Sequence, residues 1–582
     1  VRIDGIYFDP IPALSGRLRS STAIRVGFSA IDFPFVAPTG IVDHKFRPFP
    51  DEYGHSYGAA EYGYGGSIGE WDIRVPVLKD HLALTGGIAY ADVRSYDGSY
   101  TESWGWTVRP IIKLGGAEIA PFAAVGRYLD VKPHPLVVVS GPDLPRPQPR
   151  RKYLGQDWAK LEADHENYGV TLKAPIAEGL SLRAGMFHAV GDRLVNFTEI
   201  FAIRDATGLA SHRLIADPSQ DVHSTSGEAM LAWRFGGGDW HHRIFAGYRA
   251  RNRYTETGGS NVFDFGDVIY GQRDPEVKPD FAFTEVNAGR LRQSSWMLGY
   301  VGRLGSVADL NLGIQKARFR GKSRQGGTGQ VTLSQDDPWL YNAMARVHLS
   351  KSLSLYAGTE KGLEDSGTAP ENAVNRNEQL PATRTTQHEA GVRWKFHGGQ
   401  LVVNAFEITK PYFAFNAGNR FVELGEESHR GIEASLAAHL GDRLNVLAGG
   451  VLMKPRVTGA AVDAGLVGSR PAGTPSVYAR IDATYRTSIL DGLTATASVV
   501  HTGRRAVSSR PLAALGDKQL FTGSRTTVDL GARHHFHIGP TDFSIRAVLQ
   551  NAFNTGGWKV VSANVVWPEE QRRYTIALAA DF

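Results

Sequence analysis

The sequence predicts an all-β chain: a 22-stranded antiparallel transmembrane β-barrel with a partial N-terminal plug inside the lumen. Three observations predict it. Apolar and polar residues alternate with period two along nearly the whole chain. Short and long connections between these runs also alternate. No run of about 18 apolar residues exists, so no helix could cross a membrane.

Residues 525–553 set the pattern. Val528, Leu530, Ala532, His534, Phe536 and Ile538 share one face of a strand, and Asp529, Gly531, Arg533, His535 and His537 the other. After a turn at Gly539-Pro540-Thr541-Asp542, Phe543, Ile545, Ala547 and Leu549 alternate with Ser544, Arg546 and Gln550. This is a β-hairpin with one apolar and one polar face. Hydrophobic residues make up only 42% of the 582 positions, which suffices for a barrel because only alternate residues must be apolar. Long amphipathic helices are missing, against a large α/β enzyme. With no cysteine, a thiolate ligand, a Cys nucleophile and disulfides are excluded. The net charge of +5 is spread along the chain without a basic block, so no nucleic-acid partner is expected. The chain opens without an initiator Met or a signal peptide and reads as trimmed within a domain.

In chain order, residues 1–50 carry short strand-like pieces between Pro and Gly turns, too few to bury a core alone. Residues 51–582 are read as the barrel. Short turns fall near residues 78–80, 115–117, 175–180, 236–239, 305–309, 350–352, 397–399, 441–443, 488–492 and 539–542. Long loops fall near 130–157, 195–222, 254–287, 321–335, 362–384, 411–427, 456–474, 505–522 and 552–572. Between them the two faces recur: Trp339, Tyr341, Ala343, Ala345 and Val347 oppose Asn342, Arg346 and His348, and Ala390, Val392, Trp394 and Phe396 oppose Glu389, Arg393 and Lys395. A propeller would group strands in fours without this alternation of loop length. Charges on the second face suit a wet lumen, and Tyr90, Tyr128, Trp233, Tyr300, Trp394, Phe536 and Tyr574 near strand ends suit interfacial girdles. A barrel of this size encloses more space than its own side chains fill, so residues 1–50 are expected inside as part of a plug.

At this point the chain resembles the TonB-dependent outer-membrane receptors, their siderophore-receptor branch in particular. The resemblance is carried by VRIDG (1–5), Ile24-Arg25-Val26-Gly27 and Ala37-Pro38-Thr39-Gly40-Ile41-Val42-Asp43 in the plug. In the barrel it is carried, in order, by LSLYAGTEKGLEDSGTAPEN, TTQHEAGVRWKF, LVVNAFEITKP, SHRGIEASLAAHL, VDLGARHHFHIG, IRAVLQNAFNTGGW and the terminal Phe582. It implies residence in the bacterial outer membrane and active import of a ferric siderophore, with iron carried only within that ligand and no other cofactor. It implies energising by TonB through an N-terminal box that this chain lacks, and a monomer in the lipid bilayer. Cobalamin or an oligosaccharide as cargo, and a passive porin, are the alternatives.

Candidate functional residues follow. No nucleophile or acid–base pair is marked, so no enzyme is expected. His535 and His537 share a face at metal-pair spacing, but they lie beside a short turn where polar side chains meet water, so no metal site is assigned. The long loops carry Tyr96, Tyr100, Trp104, Arg150, Arg151, Tyr270, Arg273, Tyr412, Phe413 and Phe415, aromatic and cationic groups suited to a planar, anionic chelate. Arg25 is the one charged residue in residues 22–35 before Asp32 and needs carboxylates if buried. Glu389 and Glu433 sit on polar faces at mid-lumen height, and the resemblance implies a lock of plug arginine and barrel glutamates. Arg25 is therefore expected to bridge Glu389 and Glu433; the competing expectation pairs Glu389 with Arg393.

Overall fold

Alternating residues build strands whose apolar side must face lipid and whose polar side must face water. The computed structural model, which describes residues 1–147, 150–370 and 373–582, arranges them as a closed antiparallel barrel of 22 strands. Glu371 and Asn372, which end the LSLYAGTEKGLEDSGTAPEN segment, and residues 148–149 in the loop after Lys132 lie outside the described residues. The first barrel strand, Gly54–Tyr62, pairs with the last, Arg573–Asp581, placing Ala60 opposite Ala577.

Burial reports the two faces directly. Leu298 is 57% exposed and Trp296 69%, whereas Met297 between them and Ser295 before them are buried, so even positions of this strand face lipid and odd ones the lumen. The founding hairpin behaves alike: Arg525–Ile538 and Thr541–Gln550 pair from Leu530↔Leu549 to Ile538↔Thr541, with Leu530, Ile545 and Leu549 outward. Tyr90, Trp233, Trp394 and Tyr574 are exposed on the outer face as girdle residues. Tyr128 is the exception. It pairs with Ala163, a buried lumen position, and its ring meets His165 edge-on at 4.6 Å.

Several stretches expected as loops are extended structure. Leu180–Ile203 runs 24 residues, far beyond the bilayer, and pairs above it with Leu209–Asp217, which pairs in turn with Asn261–Ile269. Gly399–Phe415 and Phe421–Leu440 continue through most of the region expected as a loop at 411–427. Outside the bilayer these strands need no apolar lipid face, so the alternation that marks a membrane strand fades. Leu136–Val139 joins Val565–Pro568, and their neighbours form an apolar core of Val137, Phe201, Tyr270, Val507, Trp558 and Val566. This core bridges loops from either side of the strands between Gly54 and Leu114, whose own outer connections are short.

Inside the lumen sits a four-stranded sheet of Arg2–Ile3, Ile6–Tyr7, Arg19–Arg25 and Ile41–Phe46. Arg2–Ile3 runs parallel to Ile41–Phe46, the one parallel pairing in this sheet.

Closure predicts a cross-link. Directly opposed strand residues lie within disulfide range, and no native cysteine competes. Ala60→Cys with Ala577→Cys should oxidise to a species of altered mobility on a non-reducing gel. Ala59→Cys with Ala577→Cys points its side chains to opposite faces and should not. The reverse outcome would mean the register is wrong.

Candidate functional site

A sheet of so few residues cannot bury its own core, and it uses the barrel wall to complete it. Ile3, Ile6, Phe8, Leu14, Leu18 and Phe46 of the plug pack with Phe122, Ala124, Phe187 and Ala189 of the wall. Phe8 meets Phe187 edge-on at 5.4 Å and Phe46 meets Phe122 at 5.0 Å. Around this apolar contact lies a ring of buried ion pairs.

Asp9 is its centre on the outer side. Its carboxylate accepts from Arg251 at 3.1 Å, Arg253 at 2.8 Å and Ser224 Oγ at 2.7 Å, while its backbone N–H donates to Ser226 Oγ at 2.9 Å. Arg2 reaches Glu228 at 3.1 Å and donates to the Gly5 carbonyl at 2.6 Å. Arg17 and Arg47 of the plug both reach Asp72 of the wall at 2.8 Å. Lys173 reaches Asp4 at 3.1 Å. Buried charges are tolerated only when paired and hydrogen-bonded, and here each carboxylate named has a cationic partner across the plug–wall boundary.

The predicted lock is not among these pairs. Arg25 makes no ion pair with Glu389 or Glu433; its guanidinium packs over the Phe33 ring at 5.0 Å. Strand alternation is the reason: Ile24 and Val26 face the cavity that Glu389 and Glu433 line, which turns Arg25 to the other side. Glu389 nevertheless grips the plug. Its carboxylate lies against Gly27 of the plug and accepts from Asn404 at 3.2 Å. Gly27, at φ +51°, allows this approach, because any Cβ there would collide with the carboxylate. Arg393 hydrogen-bonds Gln400 at 2.9 Å, so the competing Glu389–Arg393 pair is absent too.

Two plug loops rise toward the outer side. Ile11 sits beside Gly191 and His165, and Pro38 beside Gly362, which lies near the outer end of its strand. Below them a slot of about 280 Å³ is lined by Tyr7, Thr39, Arg249, Arg251, Gln293 and Asp365. Arg249 stands 5.5 Å over the Tyr7 ring and donates to Gln315 at 2.9 Å, with no carboxylate in ion-pair range among the described residues. The slot therefore offers an unneutralised guanidinium to an anionic group.

The residues proposed from the loops divide. Trp104 lies on the lipid face, paired with Tyr90, and its strand's lumen positions are Thr107, Arg109 and Ile111. Tyr96 and Tyr270 are buried in the packing of the outer loops, 2% and 9% exposed, so they are not open to a ligand here. Tyr100 donates to Asp130 at 2.7 Å. Arg150 stacks over Tyr64 at 5.4 Å, Arg151 donates its N–H to the Tyr96 carbonyl, and Arg273 reaches Asp157 at 2.7 Å. Phe413 and Phe415 cover Ala369, Ala373 and Leu380, and Tyr412 packs beside Val457. Among His residues, His537 pairs with Asp542 at the inner turn. The residues missed were Asp9, Glu228, Asp72 and the ladder Arg249, Arg251, Arg253. The ladder was readable, since arginines at every second position of one strand must share a face.

One outer network is titratable. His212, fully buried, has Nε2 3.1 Å from Glu199 and Nδ1 3.2 Å from Asp274, and stacks on Phe201 at 4.5 Å. Burial alone would lower its pKa, but the two carboxylate hydrogen bonds outweigh burial and raise it.

A closed β-barrel of membrane dimensions whose lumen holds a small sheet through buried ion pairs is a plugged outer-membrane barrel. The chain belongs to the TonB-dependent receptor family: the family described as "TonB dependent receptor-like, beta-barrel" matches residues 116–552. It is similar to the ferrichrome receptor FcuA of Yersinia enterocolitica, 24% identical over 387 residues, 62% of this chain and 48% of FcuA. The chain thus spans about half the length of that relative. The ferric preacinetobactin receptor BauA from Acinetobacter baumannii shares the fold at TM-score 0.83 and 19% identity, over 100% of this chain and 88% of BauA. The siderophore receptor PiuA from Acinetobacter baumannii does so at 0.81 and 14%, over 100% and 89%.

Two outcomes follow. Asp9→Asn leaves Arg251 and Arg253 without a carboxylate and should cost ~3–5 kcal/mol of plug docking. Limited proteolysis should then cut residues 1–50 faster than in the unaltered chain; equal rates would show the pairs do not hold the plug. For His212, a raised folded pKa means its contribution is complete below about pH 6.5 and is lost as pH rises through the folded value. Hydrogen exchange of Leu209–Asp217, corrected for intrinsic rates, should be slowest on the acid side, and His212→Gln should abolish that dependence.

Proposed function

We propose that the chain binds a ferric siderophore at the outer face and imports it with energy delivered through TonB. The observation that carries this is the seal. Asp9, Arg2, Arg17 and Arg47 of the plug all engage wall charges, and breaking even one buried pair costs ~3–5 kcal/mol. A lumen held this way does not conduct passively, which disfavours a porin, and clearing it requires work from outside the barrel. The similarity to the ferrichrome receptor FcuA supports the cargo class. Iron enters only inside the ligand, TonB engages a box N-terminal to this chain, and the receptor works as a monomer. The slot at Arg249 and Arg251 accepts an anionic chelate, with Arg150, Arg151, Arg273, Tyr412, Phe413 and Phe415 on the loops above.

The test is growth. A host lacking its own siderophore receptors and carrying the full-length gene should grow on chelated iron supplied with one of a panel of purified ferric siderophores, and only with TonB present. TonB-independent uptake, or uptake restricted to iron-free nutrients, would refute the proposal.

A further inference from the structure

The strand Trp240–Thr257 turns its odd positions toward the lumen. Arg249, Arg251 and Arg253 lie toward the outer loops, Arg243 lies near the inner turn, and Phe245 and Gly247 separate them. At about 3.4 Å per residue, Arg243 and Arg249 stand roughly 20 Å apart along the strand. The plug closes the gap between them. Phe35 packs with Met230, Phe245, Met297 and Val301 of the wall. Its ring edge lies 3.1 Å from where a Cβ of Gly299, the residue opposite Phe245, would stand. Phe35 also lines the slot at Arg249.

Inward of this contact is a second cavity of about 460 Å³, with Met230 and Phe245 in its lining. Gly116 and Pro175, at or beside short turns, place it at the inner mouth of the barrel. Lys173, Arg183, Arg234 and Arg243 face it, against a single carboxylate, Glu118. That carboxylate is already engaged at 3.7 Å by both Lys173 and Arg109, and Lys173 also reaches Asp4 at 3.1 Å. The three arginines have no carboxylate within ion-pair distance among the described residues. Arg183 reaches the Met230 sulfur at 3.7 Å and lies against Gly5 of the plug, while Glu228 on the next strand is taken by Arg2. Arg243 donates to the Asp32 carbonyl at 3.4 Å and lies 5.6 Å over Phe245. Arg234 is exposed to the cavity and its mouth.

The register sharpens the excess of charge. Arg234 stands directly opposite Arg243, and Arg183 directly opposite Lys173. Like charges directly opposed on a strand pair are destabilising, and an anion placed between them removes that repulsion. A guanidinium holds a carboxylate or another planar anion in a two-pronged, charge-assisted geometry.

We propose that the inner cavity is a second, exit-side site for the anionic ferric chelate, held by Arg183, Arg234 and Arg243, with Phe35 as the seal between it and the outer slot. The inference rests on the reading of the cargo as an anionic chelate. Both cavities draw guanidiniums from the same strand, and the Phe35 contact lies between them. When the plug is cleared, Phe35 leaves with it and both ends of the strand face one lumen. The inner cations then attract the chelate past the uncharged stretch at Phe245 and Gly247. A neutral chelate gains nothing from that step, so the net negative charge of the chelate is the property this site selects.

Binding is tested on the purified full chain by calorimetry, with ferric citrate as the anionic probe. The expected result is a binding component that survives Arg249→Gln but weakens about tenfold or more, some 1.4 kcal/mol, in the R183Q/R234Q/R243Q variant. A neutral ferric trihydroxamate should not compete for it. Heat-modifiable gel mobility reports whether the variant barrel is folded; if it is not, Arg234→Gln alone, at an exposed position, decides by a loss of about threefold or more. Transport separates this inference from the function it rests on. In a host carrying the full-length gene, the triple variant should bind an anionic ferric siderophore at the cell surface as before and import it more slowly. No uptake of any siderophore by the unaltered receptor would refute the functional reading, and the exit site with it. Normal uptake by a folded variant would overturn the exit site alone. So would ferric citrate binding that the variant leaves unchanged, equal binding of the neutral chelate, or competition by inorganic phosphate as strong as by ferric citrate.

Discussion

A wall of 22 strands encloses a lumen that its own side chains cannot fill, and that space decides most of what is found inside. The inner face must be polar, because it meets water wherever the plug does not reach. The plug must then dock against charged strands, and charge in a closing interface is favourable only when every group finds a partner. Asp9 shows how far this is carried: two guanidiniums, a hydroxyl on its carboxylate and a second hydroxyl on its backbone leave it fully engaged. Replacing one partner strands the others, so the contact specifies a single docked position more than it adds net stability. The apolar part of the interface is shared, with Phe122 and Phe187 of the wall standing in for core residues that the plug does not have.

Much of this was legible in the sequence, because period two is a local signal. The faces of the hairpin around Gly539 could be read residue by residue, and the alternation of short and long connections fixed which ends lie together. Where the reading failed, the local signal had changed its meaning. Leu209–Asp217 and Asn261–Ile269 are strands beyond the bilayer, where neither face meets lipid, so they read as loop. Tyr128 was assigned to a girdle from its position near a strand end, but phase rather than position decides the face, and its phase is that of the buried Ala163. Trp104 failed by the opposite route: a Trp two residues from Trp106 and across from Tyr90 was a girdle signal, taken instead for a loop anchor.

The plug contacts were the least legible, for a geometric reason. Sequence shows which residues carry charge but not the height and rotation at which a separate sheet meets the wall. Arg25 needed only a half-turn about its strand to miss Glu389, and alternation makes that half-turn an all-or-none matter. Glu389 meets the plug at Gly27, where the missing side chain admits its carboxylate, a contact that no charge-matching argument could have found.

The arginines of neighbouring strands show how strongly this register is fixed. Arg249, Arg251 and Arg253 occupy odd positions and face the lumen, where Asp9 and Gln315 receive them. Across the wall, Arg290, Arg292, Arg318 and Arg320 occupy even positions and face outward, above the Trp296 level. A shift of one residue would exchange the two sets. It would turn the ladder arginines to the outer face and leave Asp9 without its guanidinium partners. The register is thus held from both sides of one sheet, by paired charge within and by the lipid-facing rings of Tyr248 and Trp296 without. A substitution that relaxes only one side leaves the other to keep the strand in phase.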